Sequence, residues 1–555
     1  MSSVEIRFPD EGASEKLFEK VLVANRGEIA VRITEACQEL DIGTVAIYSD
    51  VDRRALHIQL ADESYPLGNP LPQESYLNVD KIIKIAKRSE ADAIHPGYGF
   101  LSENATFARR CVEEGFVFIG PPSHVIDAMG DKVQAKAIMS KANVPVLPGY
   151  TGDASKPSFL LKKANEIGYP LMIKAAAGGG GKGMRIVYRS RDFRKALESA
   201  SREANTAFGD GRVFLEKYLE DPRHVEIQVL ADNYGKVIHL FERECSIQRR
   251  FQKIIEETPS PILDDNLRAK MGAAAVRAAK AVGYQNAGTV EFLLDSDRNF
   301  YFLEMNTRLQ VEHAITEATT GIDIVKWQIK LAAGLPLTIE QADVAQRGHA
   351  LECRIYAEDP QREFRPAAGR LHRFLLNIVN KIGIRNDTGL SEEGEDVSIY
   401  YDPMLAKLIV HDQTREDSIR KMVWALQNYA ALGIPTNIDY LKEILSHEEF
   451  RSGNTSTHFI PKFFKNWSPT TDAIPTGALL ALSVYDLVET TSIYNGTNGL
   501  GEPDPHSPWK SASRFGREGL RIVGGAIVGS GKKITDAARR PFRRSTTIEE
   551  PPSDF

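Results

Sequence analysis

"GTVEFLLDSDRNFYFLEMNTRLQVEH" (Gly288–His313) holds two apolar runs, TVEFLL and FYFLEMN, joined by the five-residue turn DSDRN. Short β-branched and aromatic runs about a polar turn predict an antiparallel strand pair. Register about that turn sets Glu291 roughly opposite Glu304, on the same face. Like charges across such a pair repel, so the arrangement is unfavourable unless a cation lies between them. Carboxylates at that geometry are hard oxygen ligands suited to Mg²⁺ or Mn²⁺. Downstream, Glu304, Asn306, Arg308, Gln310 and Glu312 alternate with Met305, Thr307, Leu309 and Val311. If the chain stays extended to Glu312, one face carries all five polar groups. The plain alternative is a surface strand with its polar side in water. Neighbouring strands that read as apolar on both faces favour a functional face in a buried sheet.

Upstream, "IKAAAGGGGKGMRIV" (Ile173–Val187) sets four consecutive glycines between two apolar runs, with Lys174 before them and Lys182 after. The flanks, YPLMIK and GMRIVY, read as a buried hairpin. Backbone N–H groups freed of side chains approach phosphate oxygens closely, so a phosphate-binding flap stands beside a purely structural hairpin. A Walker A loop does not fit, because Ala176 holds its first glycine position, Gly183 its Ser/Thr position, and a strand follows.

A second polar cluster joins PRHVEIQVLAD (Pro222–Asp232) to ERECSIQRRFQKIIEE (Glu242–Glu257). His224, Glu226 and Gln228 alternate along one strand, and Gln248, Arg249, Arg250 and Lys253 fall within six residues. A basic run is usually solvated. Beside a carboxylate pair and a glycine flap it reads better as a basin for anionic substrates.

The N-terminal part opens as strand, tight turn, helix and strand from Lys20 to Asp50, a Rossmann-type start. Only Gly27 stands in the turn, where a dinucleotide site needs G-x-G-x-x-G, which argues against NAD. A further αβ unit carries the loop HPGYGF (His95–Phe100) at the carboxyl end of its strand, where open α/β sheets bind ligands. A β-rich section from HALECRIYAEDP to DPMLAKLIVH precedes helices that end near NTSTHFIPKFF.

The chain has 555 residues, 42% hydrophobic and 26% charged, with 69 basic against 75 acidic residues. That is an ordinary globular composition with room for about three or four domains. A net charge of −6 gives no reason to expect nucleic acid. Four scattered cysteines without a C-x-x-C pair argue against disulfides and zinc ribbons. The first sixteen residues lack a signal-peptide pattern, and no apolar run reaches membrane-spanning length, so a cytoplasmic protein is expected. After Asn466 the composition shifts: an apolar helix candidate (Thr471–Thr491), a loop-like stretch and a basic tail follow.

Taken in order, ANRGEIAVRI, HPGYGFLSEN, GDK, IKAAAGGGGKGMR, EKYLEDPRHVEIQVLAD, QRR-x-QK, EFL…FLEMNTRLQVEH and ECRIYAEDP span roughly Phe18 to Phe464. The chain so resembles a biotin carboxylase, the ATP-grasp component of biotin-dependent carboxylases. The resemblance implies an α/β protein: a Rossmann-like pre-ATP-grasp domain (18–130) follows an N-terminal extension (1–17). An ATP-grasp domain (131–345) with a mobile glycine-rich lid (about 147–218), a C-terminal biotin carboxylase domain (346–465) and an extension (466–555) complete it. It also implies a ligase that carboxylates biotin with bicarbonate, ATP and Mg²⁺ or Mn²⁺, in an acyl-CoA carboxylase or, alternatively, a pyruvate carboxylase.

By the same resemblance, Lys132 and Lys174 hold ATP phosphates, and Gly178, Gly179, Gly180 and Gly181 close over them. Glu216, Lys217 and Leu219 frame the adenine, with His224 and Gln248 nearby. Glu291, Glu304 and Asn306 bind the metal, the two glutamates thereby belonging to the ATP site as well. Lys253, Arg308, Gln310, Val311 (through its backbone) and Glu312 form the bicarbonate pocket, with Glu312 as base. Arg354 faces the biotin ureido oxygen, and Tyr98 and Gly99 seat the ring. Phe251, Ala314 and Tyr356 depart from the family's commonest wording, and none of them removes a proposed ligand. The chain lacks an A-M-K-M biotin-attachment sequence. The implied partners are therefore a separate biotin carboxyl carrier protein and a carboxyltransferase, around a homodimer within a larger hetero-oligomer.

Overall fold

The computed structural model describes residues 17–150, 157–176, 183–250, 252–378, 382–391, 395–465 and 467–468, with scattered positions between 477 and 485. Gly178–Gly181 and Phe251 lie outside the described residues, as do most of the C-terminal helix candidate and all of the basic tail. Two units divide the chain, Met1–Pro469 with Ile548–Phe555, and Thr470–Thr547. Everything that follows concerns the first.

Its N-terminal sheet contains β1 (Lys20–Val23), β2 (Gly43–Ser49), β3 (Glu63–Gly68), β4 (Ala93–His95) and β5 (Val117–Phe118). All pairings are parallel and the order is β3-β2-β1-β4-β5, so the chain doubles back at β1 as the Rossmann-type reading expects. Helix Gly27–Glu39 covers it with Ile29, Ile33, Ala36 and Cys37, the helical spacing seen in the sequence. The loop after β4 turns sharply at Gly97 (φ +61°), where a Cβ would stand 2.9 Å from Asn25 Nδ2. Asn25 in turn donates to Pro96 O and Tyr98 O (both 2.7 Å), which fixes the loop for its later role.

A small sheet follows: β6 (Gly149–Tyr150), β7 (Leu171–Ala175), β8 (Arg185–Val187) and β9 (Val213–Lys217), ordered β6-β9-β7-β8. The hairpin expected about the glycine run is there, β7 pairing antiparallel with β8 from Leu171↔Val187 to Ile173↔Arg185.

The centre is an eight-stranded sheet. It holds β10 (Arg223–Ala231), β11 (Val237–Arg249), β12 (Gln252–Thr258), β13 (Asn286–Leu294), β14 (Phe300–Asn306) and β15 (His349–Tyr356). Their order is β14-β13-β10-β11-β12-β15, continued by strands Met404–Asp412 and Ile384–Thr388. Period-two alternation gives the sheet two unlike faces. Val225, Ile227, Val229, Val290, Phe292 and Leu294 pack under helix Asp265–Ala281. On β10 the opposite face carries His224, Glu226 and Gln228, all buried. The strands are therefore not apolar on both faces, contrary to the sequence-based expectation. One buried face is polar, because its charges neutralise one another instead of meeting water.

Two buried histidines make the fold acid-sensitive. Burial pushes His57 down to about 4 and His95 down to about 3, so both are neutral when folded. An unfolded histidine takes up its proton near pH 6.5. Their stabilisation is thus complete above pH 6.5 and is lost as pH falls toward those folded values. Each unit of pH over which only the unfolded chain is protonated costs about 1.4 kcal/mol per group. The melting temperature should drop steadily from pH 6.5 to pH 4, and less so in His57→Gln. A flat profile over that range would contradict this. No described helix is long and apolar enough to cross a membrane.

Candidate active site

One transverse row of the central sheet sets the geometry. Arg243 on β11 pairs with Glu226 on β10, Glu226 with Glu291 on β13, and Glu291 with Glu304 on β14. The expected opposition of Glu291 and Glu304 therefore holds, and a β-bulge produces it. Pairing from the turn runs Leu294↔Phe300, Leu293↔Tyr301 and Phe292↔Phe302, then shifts by one residue so that Glu291 meets Glu304. Without the extra residue Glu291 would oppose Leu303, and Glu304 would point to the other face.

Three carboxylates of this region converge on one ammonium. Lys253 Nζ lies 2.6 Å from Glu226 Oε2, 2.9 Å from Glu291 Oε1 and 2.7 Å from Glu312 Oε1. Burial alone would discharge Lys253, but the Glu226, Glu291 and Glu312 carboxylates hold its pKa well above the ordinary value. Glu291 and Glu312, which burial would push up, are held well below the usual carboxylate range, Lys253 being the strongest opposing charge in each case. Glu312 Oε2 also accepts from an Arg354 terminal nitrogen at 3.0 Å. His224 Nε2 stands 3.0 Å from Glu291 Oε2; burial opposes its charging, and Glu291 outweighs that and raises its pKa.

The alternating stripe ends earlier than the sequence suggests. β14 stops at Asn306, a loop follows, and helix His313–Thr320 begins directly after Glu312. The loop still returns its even-numbered polar groups to the row. Asn306 Nδ2 donates to Glu291 Oε1 (2.8 Å), and so does Gln310 Nε2 (2.9 Å). Arg308 donates to Asn306 Oδ1 (3.2 Å) and pairs with Glu103 Oε2 (3.1 Å), from the loop after β4. Lys407, wholly buried, donates to Val311 O at 2.9 Å and pairs with Glu28 (3.2 Å) and Asp387 (3.4 Å). Tyr98 donates its hydroxyl to Glu28, and Gly99 O accepts from Ser102 N–H at 3.0 Å.

A second group sits at the small sheet. Lys174 Nζ is 2.6 Å from Glu216 Oε2, and Lys136 also reaches the Glu216 carboxylate. Burial, then the nearby Lys132 charge, pushes Lys174 down to about 8, with Glu304 opposing. Lys132 occupies the first position of a helix capped by Asp131, whose Oδ1 accepts from Val133 N–H (2.9 Å) and Gln134 N–H (3.0 Å). From there its Nζ lies 3.2 Å from Glu304 Oε2. Lys217 donates to Tyr169 O (3.2 Å), and Leu219 follows half-buried. Gln248 pairs in register with Lys253 across β11 and β12.

The basic run behaves differently from its sequence reading. Arg249 donates to both oxygens of Glu358 (2.7 and 2.6 Å) and stacks over Phe364 at 4.0 Å. Arg250 is exposed beside Glu363. Of the basic side chains in QRRFQK, Lys253 is the one that enters the row, where its Nζ meets Glu226, Glu291 and Glu312. Sequence reasoning missed Arg243, which is fully buried and donates to Glu226, Gln228, Thr289, Gln310 and Thr316. It missed Lys407 as well. The available signal was a basic residue inside a strand, between two glutamates in FEREC for the first and among apolar residues in MLAKLIV for the second.

Known proteins with these features are specific in kind. The biotin carboxylase N-terminal domain family matches residues 17–126, the carbamoyl-phosphate synthase L chain ATP binding domain family 131–340, and the biotin carboxylase C-terminal domain family 352–462. A biotin carboxylase of Halalkalibacterium halodurans is 51% identical over 81% of this chain and 98% of its own length. The methylcrotonoyl-CoA carboxylase α subunits of Dictyostelium discoideum and Rattus norvegicus are each 50% identical, over 89% and 82% of this chain. Of those longer proteins this chain spans 70% and 63%. Among solved structures, the biotin carboxylase domain dimer of Hydrogenobacter thermophilus 2-oxoglutarate carboxylase, in complex with MgADP, ADP and bicarbonate, is similar with a TM-score of 0.78 and 46% identity. The match covers 82% of this chain and 100% of that one.

Proposed function

The chain belongs to the biotin carboxylase family, whose members are ATP-dependent ligases, and on that premise we propose that it carboxylates biotin with bicarbonate and ATP. The observation that carries the proposal is Glu312 held between Lys253 and Arg354. Such a site has cations for an anionic substrate and a carboxylate for its proton.

Bicarbonate is a poor electrophile, and phosphorylation by ATP turns it into carboxyphosphate, which releases CO₂. Lys253 and Arg308 are the cations for bicarbonate in this reading, with Gln310 and the Val311 N–H beside them. In the free protein Glu312 is a weak base, because Lys253 and Arg354 stabilise its charge. An arriving anion shares those cations and adds its own negative charge, which raises the Glu312 pKa when the proton must move. Phosphate released with CO₂ takes the proton from biotin N1′. Arg354 then faces the ureido oxygen, as an oxyanion donor does, and Tyr98 and Gly99 seat the ring. Lys132 and Lys174 meet the ATP phosphates. The Glu216 side chain is spent on lysines, so Glu216 would frame the adenine through its backbone, with Lys217, Leu219, His224 and Gln248 around it.

The donor set fits a hard cation: Glu291 and Glu304 oppose each other directly and Asn306 brings an amide oxygen to the same edge. Bound there, Mg²⁺ or Mn²⁺ would neutralise charge on the transferring phosphoryl group.

The wider assignment follows the relatives. The biotin would ride on a separate biotin carboxyl carrier protein, and a carboxyltransferase would pass the carboxyl group on, in the cytoplasm, around a homodimer of this chain. An acyl-CoA carboxylase of the acetyl- or propionyl-CoA type is our reading. A pyruvate carboxylase subunit of Methanothermobacter thermautotrophicus, 51% identical over 90% of its length, keeps a pyruvate carboxylase as the alternative. Labelled bicarbonate should appear in carboxybiotin when the chain is given ATP, Mg²⁺ and free biotin. ATP turnover indifferent to biotin would refute the assignment, and subunits that co-purify would identify the acceptor.

A further inference from the structure

We propose that Glu352 is a positioning residue: it shares one proton with Glu256, and the pair, carrying a single negative charge, holds the Arg354 guanidinium beside Glu312. Glu256 on β12 and Glu352 on β15 are directly opposed in register, and neither is exposed to solvent. Two ionised carboxylates so placed repel each other. Glu256 Oε1 takes Arg354, at 2.7 Å from Nε and 2.6 Å from a terminal nitrogen. Glu256 Oε2 and both oxygens of Glu352 are buried without a hydrogen-bond partner. Three orphaned carboxylate oxygens away from water are far too costly if both groups are charged. One proton removes most of that cost, because the Glu352 O–H can then donate to Glu256 Oε2, leaving only a neutral carbonyl oxygen of Glu352 unpaired.

The surroundings supply no competing donor among the described residues. Helix His313–Thr320 covers this face with Ala314, Ile315 and Ala318, packed on Ala350 and Ile409. The charged groups that bear on Glu352 are Lys407, Glu256, Arg354 and Glu312. Lys407 is committed to Glu28, Asp387 and Val311 O. Burial pushes the Glu352 carboxyl well above the usual carboxylate range and Glu256 up to about 7, the direction that proton sharing requires.

The consequence concerns Arg354, which stands between Glu256 and Glu312. When Glu312 accepts the bicarbonate proton, Arg354 loses one of its two counterions. Glu256 keeps the guanidinium in place for the next step. A doubly charged pair would draw it away from Glu312, and a neutral pair would release it.

Two measurements on the full chain test this. An infrared difference spectrum at pH 8, wild type minus Glu352→Gln, should contain the carbonyl stretch of a protonated carboxylic acid. In kinetics with free biotin, Glu352→Gln keeps a donor toward Glu256 and should retain the wild-type KM for biotin. Glu352→Leu leaves Glu256 Oε2 unpaired and should raise that KM about tenfold, the cost of one unsatisfied buried acceptor, with the KM for ATP unchanged. Absence of the acid band overturns the proposal, and so does equal impairment of the Gln and Leu variants. If the Leu variant does not fold, the infrared result decides. The kinetic arm rests on the assignment of Arg354 to biotin. A chain that carboxylates no biotin therefore fails that assignment, while the infrared band still tests the shared proton.

Discussion

Glu312→Gln should lower bicarbonate-dependent turnover by about 10²–10⁴-fold, the usual worth of a positioned base, and added Mg²⁺ should not restore it. The amide keeps the shape and one acceptor oxygen, which can take Lys253 or Arg354, the two donors that reach separate oxygens of Glu312 at 2.7 and 3.0 Å. It cannot take a proton. Glu304→Gln should fail differently. Glu304 stands at the half-exposed edge of the row, with Lys132 as its one ion-pair partner among the described residues. Removing its charge weakens a hard-cation site, so raising Mg²⁺ should recover part of the activity. Initial rates against Mg²⁺ concentration for the two variants make the comparison. Equal rescue of both would mean that Glu312 is not the base.

Lys253→Met should cost both activity and stability. The substitution keeps an unbranched chain and removes the one ammonium shared by Glu226, Glu291 and Glu312. Breaking a buried ion pair by deleting one partner costs about 3–5 kcal/mol, because the remaining charge is stranded. Two of these carboxylates keep other cations, Glu226 with Arg243 (2.5 Å) and Glu312 with Arg354. Glu291 keeps only His224 as an ion-pair partner among the described residues. Stranded carboxylates have raised pKa values when folded, so they take up protons more readily folded than unfolded. The stability deficit should therefore shrink as pH falls toward 5. Melting temperatures of wild type and variant between pH 8 and pH 5 test this. A deficit that is constant or grows on acidification would show that Lys253 is not the counterion of the cluster. Lys253→Arg should not rescue activity, because three carboxylates meet at a single Nζ and a planar fork does not converge on a point.

Much of this site is legible along the chain. The turn DSDRN separates β13 from β14 in the structure as it does in the sequence, but the direct opposition of Glu291 and Glu304 needs the one-residue register shift beyond Phe292. Local chemistry suffices for the hairpin, since a short turn between two apolar runs leaves few ways to pair them, while the bulge that aligns the two glutamates is not legible along the chain. The Rossmann-type opening is legible for the same reason: strand, turn and helix are neighbours in sequence as well as in space. Even the stripe from Glu304 to Glu312 names residues that do assemble, although the backbone bends after Asn306 where continued strand was expected. Its polar side chains find partners at 2.8–3.2 Å in a loop because the row of charges, not the strand geometry, draws them in.

What only the tertiary structure decides is which charges meet. Arg243 and Glu226 are 17 positions apart, Lys253 and Glu312 are 59, and Lys407 and Val311 are 96. No periodicity in a single chain encodes such distances. The sheet itself runs from ATP-grasp strands into β15 and Met404–Asp412 without a break, across the boundary at which sequence divides the domains. That continuity places Arg354 of β15 against Glu256 of β12 and Glu312. The residue types and their order therefore identify the chemistry by themselves, since charge, reach and hydrogen-bonding capacity belong to each side chain. Protonation states and counterions belong to the assembled sheet, because burial and charges brought from distant strands determine whether Lys253, Glu312 or Glu352 carries its charge.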